Sequence, residues 1–144
     1  MRIYSYCLVF MQYSIMTILL IIDKGAFFKM LPLIIFLVGF FIGIYALYHN
    51  KPGNFNISPD IKEGASLVRS GIYRYIRHPM YLSVAIMMLG MVSYDVSITN
   101  IILYVLLITS IYLKAIKEEE LWCAKSEEYK IYRQKTKAFI PFIF

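Results

Sequence analysis

The sequence GIYRYIRHPMYLSVAIMMLGMV, residues 71–92, decides how this chain folds, because a polar and aromatic cluster runs directly into an apolar segment. Its first eleven residues include two arginines, one histidine and three tyrosines. Proline favours the first position of a helix and pushes the residue before it out of helical geometry. The stretch therefore predicts a helix that begins at His78-Pro79, with the cluster at its entrance.

Three other segments are apolar over the roughly 20 residues that a membrane-spanning helix needs. They are residues 4–22, 31–48 and 98–116. Residues 80–94 form a shorter segment, about 22 Å long, which we interpret as a further span because charged flanks and a turn-like break bound it. The sequence predicts an all-α integral membrane bundle. It has four transmembrane helices in a single domain and a cytoplasmic juxtamembrane C-terminal helix over residues 117–137.

The composition agrees with a membrane protein. Charged residues make up 17% of the chain, below the roughly 25% of soluble domains, and the mean hydropathy is +0.63. The basic residues predict the orientation, because four spans place both termini and the long loop after the second span on one side. That side receives most of the lysines and arginines, and the other receives Lys24 and Lys29. We expect a multi-pass protein with both termini in the cytoplasm, in the cell inner membrane if the source is prokaryotic.

The net charge and the cysteines indicate which binding partners to expect. The net charge of +6 is carried by residues beside apolar runs, so lipid phosphates rather than nucleic acid are the expected anionic neighbours. Cys7 and Cys123 show neither CxxC spacing nor a nearby Cys/His cluster, so the sequence predicts no metal site.

The predicted helix entrance at His78 is suited to an anion. The N–H groups of Met80 and Tyr81 have no partner inside the helix and carry the positive end of its dipole. Arg74 and Arg77 add fixed positive charge. Arginine, histidine and tyrosine at a helix end are also ordinary membrane anchors, but their convergence within one turn favours a binding site.

A second polar cluster, Glu118-Glu119-Glu120, follows the last apolar segment. A carboxylate there can bind an amino group or ribose hydroxyls, although a solvated charge run fits the pattern as well. Neighbours on a helix point about 100° apart, so at most two of the three can face a common site. We predict that the two polar clusters face each other across one pocket.

Two further features concern packing. Gly39 and Gly43 form a GxxxG pattern, which predicts close helix packing, either within the bundle or between two copies. Residues 139–144 are too apolar for a free tail, and we expect them to fold back onto lipid or onto the bundle.

The two polar clusters, in this order, resemble the isoprenylcysteine carboxyl methyltransferase family of integral membrane methyltransferases, together with its prokaryotic relatives and the phospholipid methyltransferases. The resemblance lies in LVRSGIY at residues 67–73, RHPMY at 77–81, Glu118-Glu119, EEY at 127–129 and the pair Ile140-Pro141. Lys125-Ser126 stands where the family often has an aromatic-Gly pair, and Lys114 is only an approximate counterpart of the arginine that the family has upstream of the Glu pair.

The resemblance implies S-adenosylmethionine as the methyl donor, bound without a Rossmann domain, and the absence of a GxGxxG motif agrees with this. The implied cofactor-binding residues are Leu67, Val68, Tyr73, His78, Pro79, Met80, Tyr81, Glu118 and Glu119. Arg77 and Glu118 are the implied catalytic residues, with Arg77 either orienting an acceptor carboxylate or pairing with Glu118. The acceptor would be lipophilic or lipidated, and its identity and the oligomeric state stay open.

Two alternatives remain at this point. Membrane-bound NADPH-dependent sterol-type reductases resemble the same C-terminal pattern, but they are usually much longer than 144 residues. A non-catalytic small membrane protein is the second alternative. A coupled transporter is disfavoured, because the predicted spans hold no Asp or Glu in their interiors.

Overall fold

The computed structural model describes residues 2–50, 60–61 and 64–140 of the chain. These residues form five α-helices: α1 (Arg2–Ile22), α2 (Met30–His49), α3 (Pro79–Val92), α4 (Ile98–Lys125) and α5 (Glu127–Lys135). A 3₁₀ turn at Lys24–Phe28 connects α1 with α2, and a second one at Gly71–Arg74 precedes α3. The predicted all-α helix bundle is confirmed.

Three of the described helices, α1, α2 and α4, are long and apolar enough to cross a membrane. Many large apolar side chains on them, such as Phe10 and Phe41, are exposed on the outside of the bundle, where lipid would cover them. Helix α3 is apolar but has only 14 residues, about 21 Å against a hydrocarbon thickness of about 30 Å. The fourth crossing and the orientation of the termini stay predictions.

The sequence predicted a span that ends at residue 116 and a separate helix that begins at residue 117. In the structure, α4 runs without a break from Ile98 to Lys125. Residues 117–125 are mostly good helix formers, so nothing stops the helix there. The break lies at Ser126, whose side chain accepts a hydrogen bond from the N–H of Tyr129 and so caps α5. One rigid helix of 28 residues therefore carries both its apolar part and Glu118.

Helices α2 and α3 pack closely, because glycines without a side chain allow their backbones to come into contact. A Cβ at Gly39 would lie 2.6 Å from the Met87 nitrogen, and one at Gly90 would lie 2.7 Å from the Phe36 nitrogen. Gly43 lies against the side chain of Ser83. The predicted close packing of the GxxxG pattern is thus found inside the bundle.

Helix α1 packs along α4, and side-chain hydrogen bonds follow the whole length of this contact. At the far end Asn100 Nδ2 donates to both carboxylate oxygens of Asp23, at 3.0 and 2.9 Å. The other bonds run from Ser110 Oγ to Leu8 O, from Lys114 Nζ to Gln12 Oε1, and from Lys117 Nζ to Ser5 Oγ. A small apolar core that includes Leu19, Met91 and Leu107 lies between these helices and α3.

Candidate active site

The entrance of α3 is built as its proline predicts. Pro79 occupies the start of the helix and His78 is its N-cap residue, with a non-helical backbone. Before it, Gly71 has a φ of +57° and packs against the ring of His49, so that a Cβ would lie 2.4 Å from His49 Cδ2. Only glycine suits that combination of left-handed backbone and close approach.

The segment after α5 returns to this entrance and pairs with it. The N–H of Arg77 donates to Lys137 O at 2.8 Å, and the N–H of His78 donates to Ala138 O at 3.0 Å. Phe139 packs against the His78 ring and the apolar core. The predicted return of the tail is confirmed for Phe139, and residues 141–144 lie outside the described residues.

A cavity of about 230 Å³ lies between the α3 entrance and the end of α4, slightly below the roughly 300–1,000 Å³ typical of small-molecule sites. Its walls come from α1, the chain before α3, α3 itself, α4 and α5. The lining residues are Gln12, Tyr13, Asn50, Asp60, Ile61, Ala65, Ser66, Leu67, Val68, Tyr73, Arg77, His78, Pro79, Met80, Tyr81, Val84, Lys114, Glu118, Trp122, Tyr129 and Tyr132. Both polar clusters of the sequence thus contribute to one cavity.

Glu119 is the buried centre of an ion cluster formed with Arg77, His78 and Arg133. Its Oε1 accepts a hydrogen bond from Arg77 Nε at 2.7 Å and lies 3.1 Å from His78 Nε2. Its Oε2 lies 2.8 Å from Arg133 Nε. The Glu119 side chain is only 8% exposed, whereas that of Arg133 is 53% exposed, so the ion cluster joins the entrance of α3 with α4 and α5 and reaches the surface at Arg133.

Glu118 has a different environment. Its side chain is 32% exposed, it lines the cavity, and its Oε2 accepts a hydrogen bond from the Tyr81 hydroxyl at 3.0 Å. The Tyr81 ring stacks on His78 with the ring centroids 5.3 Å apart. Glu118 is therefore oriented by Tyr81 and remains open to a ligand.

Aromatic side chains form much of the remaining wall. Trp122 stacks on Tyr129 at 5.6 Å between ring centroids, and the Tyr132 hydroxyl donates to Tyr73 O at 2.6 Å. Burial, together with the negative charge of Glu118, raises the pKa of Tyr73. Burial also raises the pKa of Tyr132 to about 12, against the opposing effect of Arg77. These phenols are neutral at physiological pH and act as hydrogen-bonding groups and apolar surfaces.

Most of the predicted site residues come together. Leu67, Val68, Tyr73, His78, Pro79, Met80, Tyr81 and Glu118 all line the cavity. Glu119, also predicted as a cofactor contact, lies behind the wall in the ion cluster. Arg77 pairs with Glu119 and not with Glu118, and its Nη1 donates to Arg133 O and Thr136 O. Which of these residues contact a cofactor stays a prediction.

The sequence reasoning did not assign Gln12 and Tyr13 to the site, and it named Lys114 only as an approximate counterpart of a family arginine, although all three line the cavity. A signal for two of them existed, because polar residues inside apolar spans usually face the protein interior. No metal centre was predicted, and in the described ranges no group of three or more His, Cys, Asp or Glu side chains could hold a metal ion.

Comparison with known proteins identifies the family. The family model of phospholipid methyltransferase matches residues 27–132, more than two thirds of the chain. The match includes α2, α3, α4 and most of α5, and of the residues that line the cavity only Gln12 and Tyr13 lie outside it. None of the curated proteins compared with the chain matches it. The chain therefore belongs to the phospholipid methyltransferase family of integral membrane methyltransferases, the type that its two polar clusters resemble.

Proposed function

We propose that the protein transfers the methyl group of S-adenosylmethionine to a lipophilic acceptor at one face of the membrane, which the basic residues predict to be cytoplasmic. The observation that supports this best is the shared cavity. The N-terminus of α3 and Glu118 of α4 both line it, at the end of helices that are otherwise apolar. A water-soluble donor and a membrane-borne acceptor can meet at such a place.

The residues present suit the donor. S-adenosylmethionine has a carboxylate, cationic groups, ribose hydroxyls and an aromatic base. The first N–H groups of α3, at Met80 and Tyr81, are suited to the carboxylate. Glu118 Oε1 is free of the bond that Tyr81 makes to Oε2, and it can accept a hydrogen bond from a ribose hydroxyl or an amino group. Trp122 and Tyr73 offer aromatic surfaces for the base.

Methyl transfer from a sulfonium is a direct displacement, in which the bound donor supplies an electrophilic methyl group. The protein must then align the reactants and exclude water. The aromatic wall and the stacked His78 and Tyr81 serve both purposes. If the acceptor is an amine, Glu118 is a carboxylate in the cavity wall that can receive its proton at Oε1.

The acceptor is proposed to reach the cavity from the bilayer. Tyr13 of α1 and Val84 of α3 belong to apolar stretches and also line the cavity. A hydrocarbon chain can lie along these residues while its head group remains near Glu118. This arrangement suits a phospholipid amine, an isoprenylated cysteine or another lipid head group.

The three consecutive glutamates provide a test with an internal control. The protein is reconstituted in lipid nanodiscs and titrated calorimetrically with S-adenosylmethionine, S-adenosylhomocysteine and NADPH. We expect the two methionine derivatives to bind and NADPH not to bind. Glu118→Gln should weaken donor binding at least about tenfold, because it removes a charged hydrogen-bond acceptor. Glu120→Gln, at an exposed position on the same helix turn, should leave it unchanged.

Transfer itself is measured with a donor labelled in its methyl group, followed by extraction of the lipids. Label in the lipid fraction that disappears in Glu118→Gln and persists in Glu120→Gln is the expected result. Binding of NADPH without binding of the methionine derivatives would refute the proposal and favour a reductase. Equal loss in both glutamate variants would refute the role of Glu118.

A further inference from the structure

Two buried lysines lie about one turn apart on α4, on the side that contacts α1. Lys117 Nζ donates to Ser5 Oγ and lies 3.7 Å from a carboxylate oxygen of Asp60, so its charge is balanced. Lys114 is 2% exposed, and its Nζ donates to the neutral amide oxygen of Gln12 at 2.6 Å. Lys114 forms no ion pair with any carboxylate among the described residues.

Lys114, unlike Lys117, is part of the cavity wall. Its Nζ lies 5.2 Å from the centroid of the Tyr81 ring, whose hydroxyl donates to Glu118. An ammonium has three N–H donors, and Gln12 accepts from only one of them. Burial of a cation without a paired anion is costly. The cavity therefore presents a buried cation that lacks an anionic partner in direct contact within the described structure.

We propose that Lys114 binds an oxyanion, a carboxylate or phosphate oxygen, carried by the head group of the lipophilic acceptor. This inference rests on the proposed function and names the chemical class of its second substrate. Lys114 would then determine specificity, because an acceptor with a neutral head group would leave its ammonium group without an anion in direct contact.

The position of Lys114 favours the acceptor over the donor as the source of the oxyanion. Lys114 precedes Glu118 by four residues, which places it one turn, about 6 Å, further into the apolar part of α4. The wall of the same cavity includes Tyr13 and Val84, from the apolar parts of α1 and α3. A head group bound there has its hydrocarbon chain on the membrane side. The carboxylate of the donor has a separate suitable site at the N-terminus of α3.

The single tryptophan of the chain, Trp122, lines the same cavity, so its fluorescence reports occupancy without any methyl transfer. Purified protein in a neutral detergent is titrated with oleyl phosphate, oleate and oleyl alcohol, which share a chain and differ in the head group. The wild type should bind the two anionic amphiphiles about tenfold or more tightly than the alcohol. The relative affinities of oleyl phosphate and oleate show whether phosphate or carboxylate is preferred.

Variants of the two lysines decide the role of Lys114. Lys114→Gln and Lys114→Met, two neutral replacements of similar length, should bring the three affinities within about twofold of each other, and Lys114→Arg should retain the preference. Lys117→Gln is the matched control and should also retain it. Thermal unfolding of every variant is recorded, and only folded variants are compared.

Donor binding is measured in parallel with S-adenosylhomocysteine. The proposal is supported if the neutral variants lose the head-group preference while their donor affinity is unchanged. It is overturned if the wild type shows no preference, or if the neutral variants keep it. A loss of donor affinity with the preference intact also overturns it, because the oxyanion at Lys114 would then belong to the donor. A protein that prefers the anionic amphiphiles but binds no donor would refute the proposed function alone.

Discussion

Glu118 and Glu119 are neighbours on α4, yet their carboxylates belong to two different regions of the molecule. Glu119 is enclosed in the ion cluster, where Arg77, His78 and Arg133 surround it. Glu118 faces the cavity and accepts a hydrogen bond from the Tyr81 hydroxyl. Adjacent side chains on a helix diverge by about 100°, so one turn of α4 can both fix the surrounding elements and present a charge to a ligand. Stability and binding should therefore respond separately to substitutions one residue apart.

The largest expected effect is on stability, from Glu119→Ala. Removal of this carboxylate leaves the buried Arg77 and His78 side chains without their acceptor, and loss of one partner of a buried ion pair typically costs about 3–5 kcal/mol. A shift of that size lowers the midpoint of thermal unfolding by roughly 10 °C. The midpoint is measured by scanning fluorimetry in detergent, with Glu120→Ala as the control. A midpoint within about 2 °C of the wild type would show that the ion cluster does not hold α3, α4 and α5 together.

A smaller effect, on binding only, is expected from Tyr81→Phe. The substitution removes the hydrogen bond to Glu118 and keeps the ring that stacks on His78. Donor affinity should fall roughly fivefold, since one such bond contributes about 0.5–1.5 kcal/mol. Calorimetry with S-adenosylhomocysteine measures the change, and the thermal midpoint should stay within about 2 °C. Unchanged donor affinity would indicate that Tyr81 does not orient Glu118 for the ligand.

The smallest effect is expected from Glu128→Gln. Glu128 pairs with Arg69 on the surface, where their side chains are 57% and 52% exposed. Exposed ion pairs contribute about 0–1 kcal/mol, so the thermal midpoint should shift by no more than about 3 °C. A decrease as large as that of Glu119→Ala would mean that α5 is held by its surface pair and not by the ion cluster.

Local rules predicted the parts of this structure that depend on neighbouring residues. Pro79 predicted the start of α3, and the apolar runs predicted α1, α2 and α4. Serine is a common N-cap residue, so Ser126 could have indicated the start of α5. Because this was not considered, the end of α4 was predicted too early.

The arrangement of the site depends on contacts between distant residues, which local rules do not contain. The rotation of α4 about its axis decides whether Glu118 or Glu119 faces the cavity, and it is set by packing against α1 and α3. The proximity of Lys114 to Gln12, 102 residues away, depends on the same packing. The family resemblance supplied the identity of the two clusters, but it did not indicate how Arg77 is paired.

The meeting of the α2 and α3 backbones at Gly39 and Gly90 has a mechanical consequence. Two backbones in contact have no side chains between them that could rearrange, so a small separation would lose close packing along both helices. We therefore expect these two helices to resist separation from each other. A sideways gap wide enough for a bulky hydrocarbon chain is then not expected between α2 and α3.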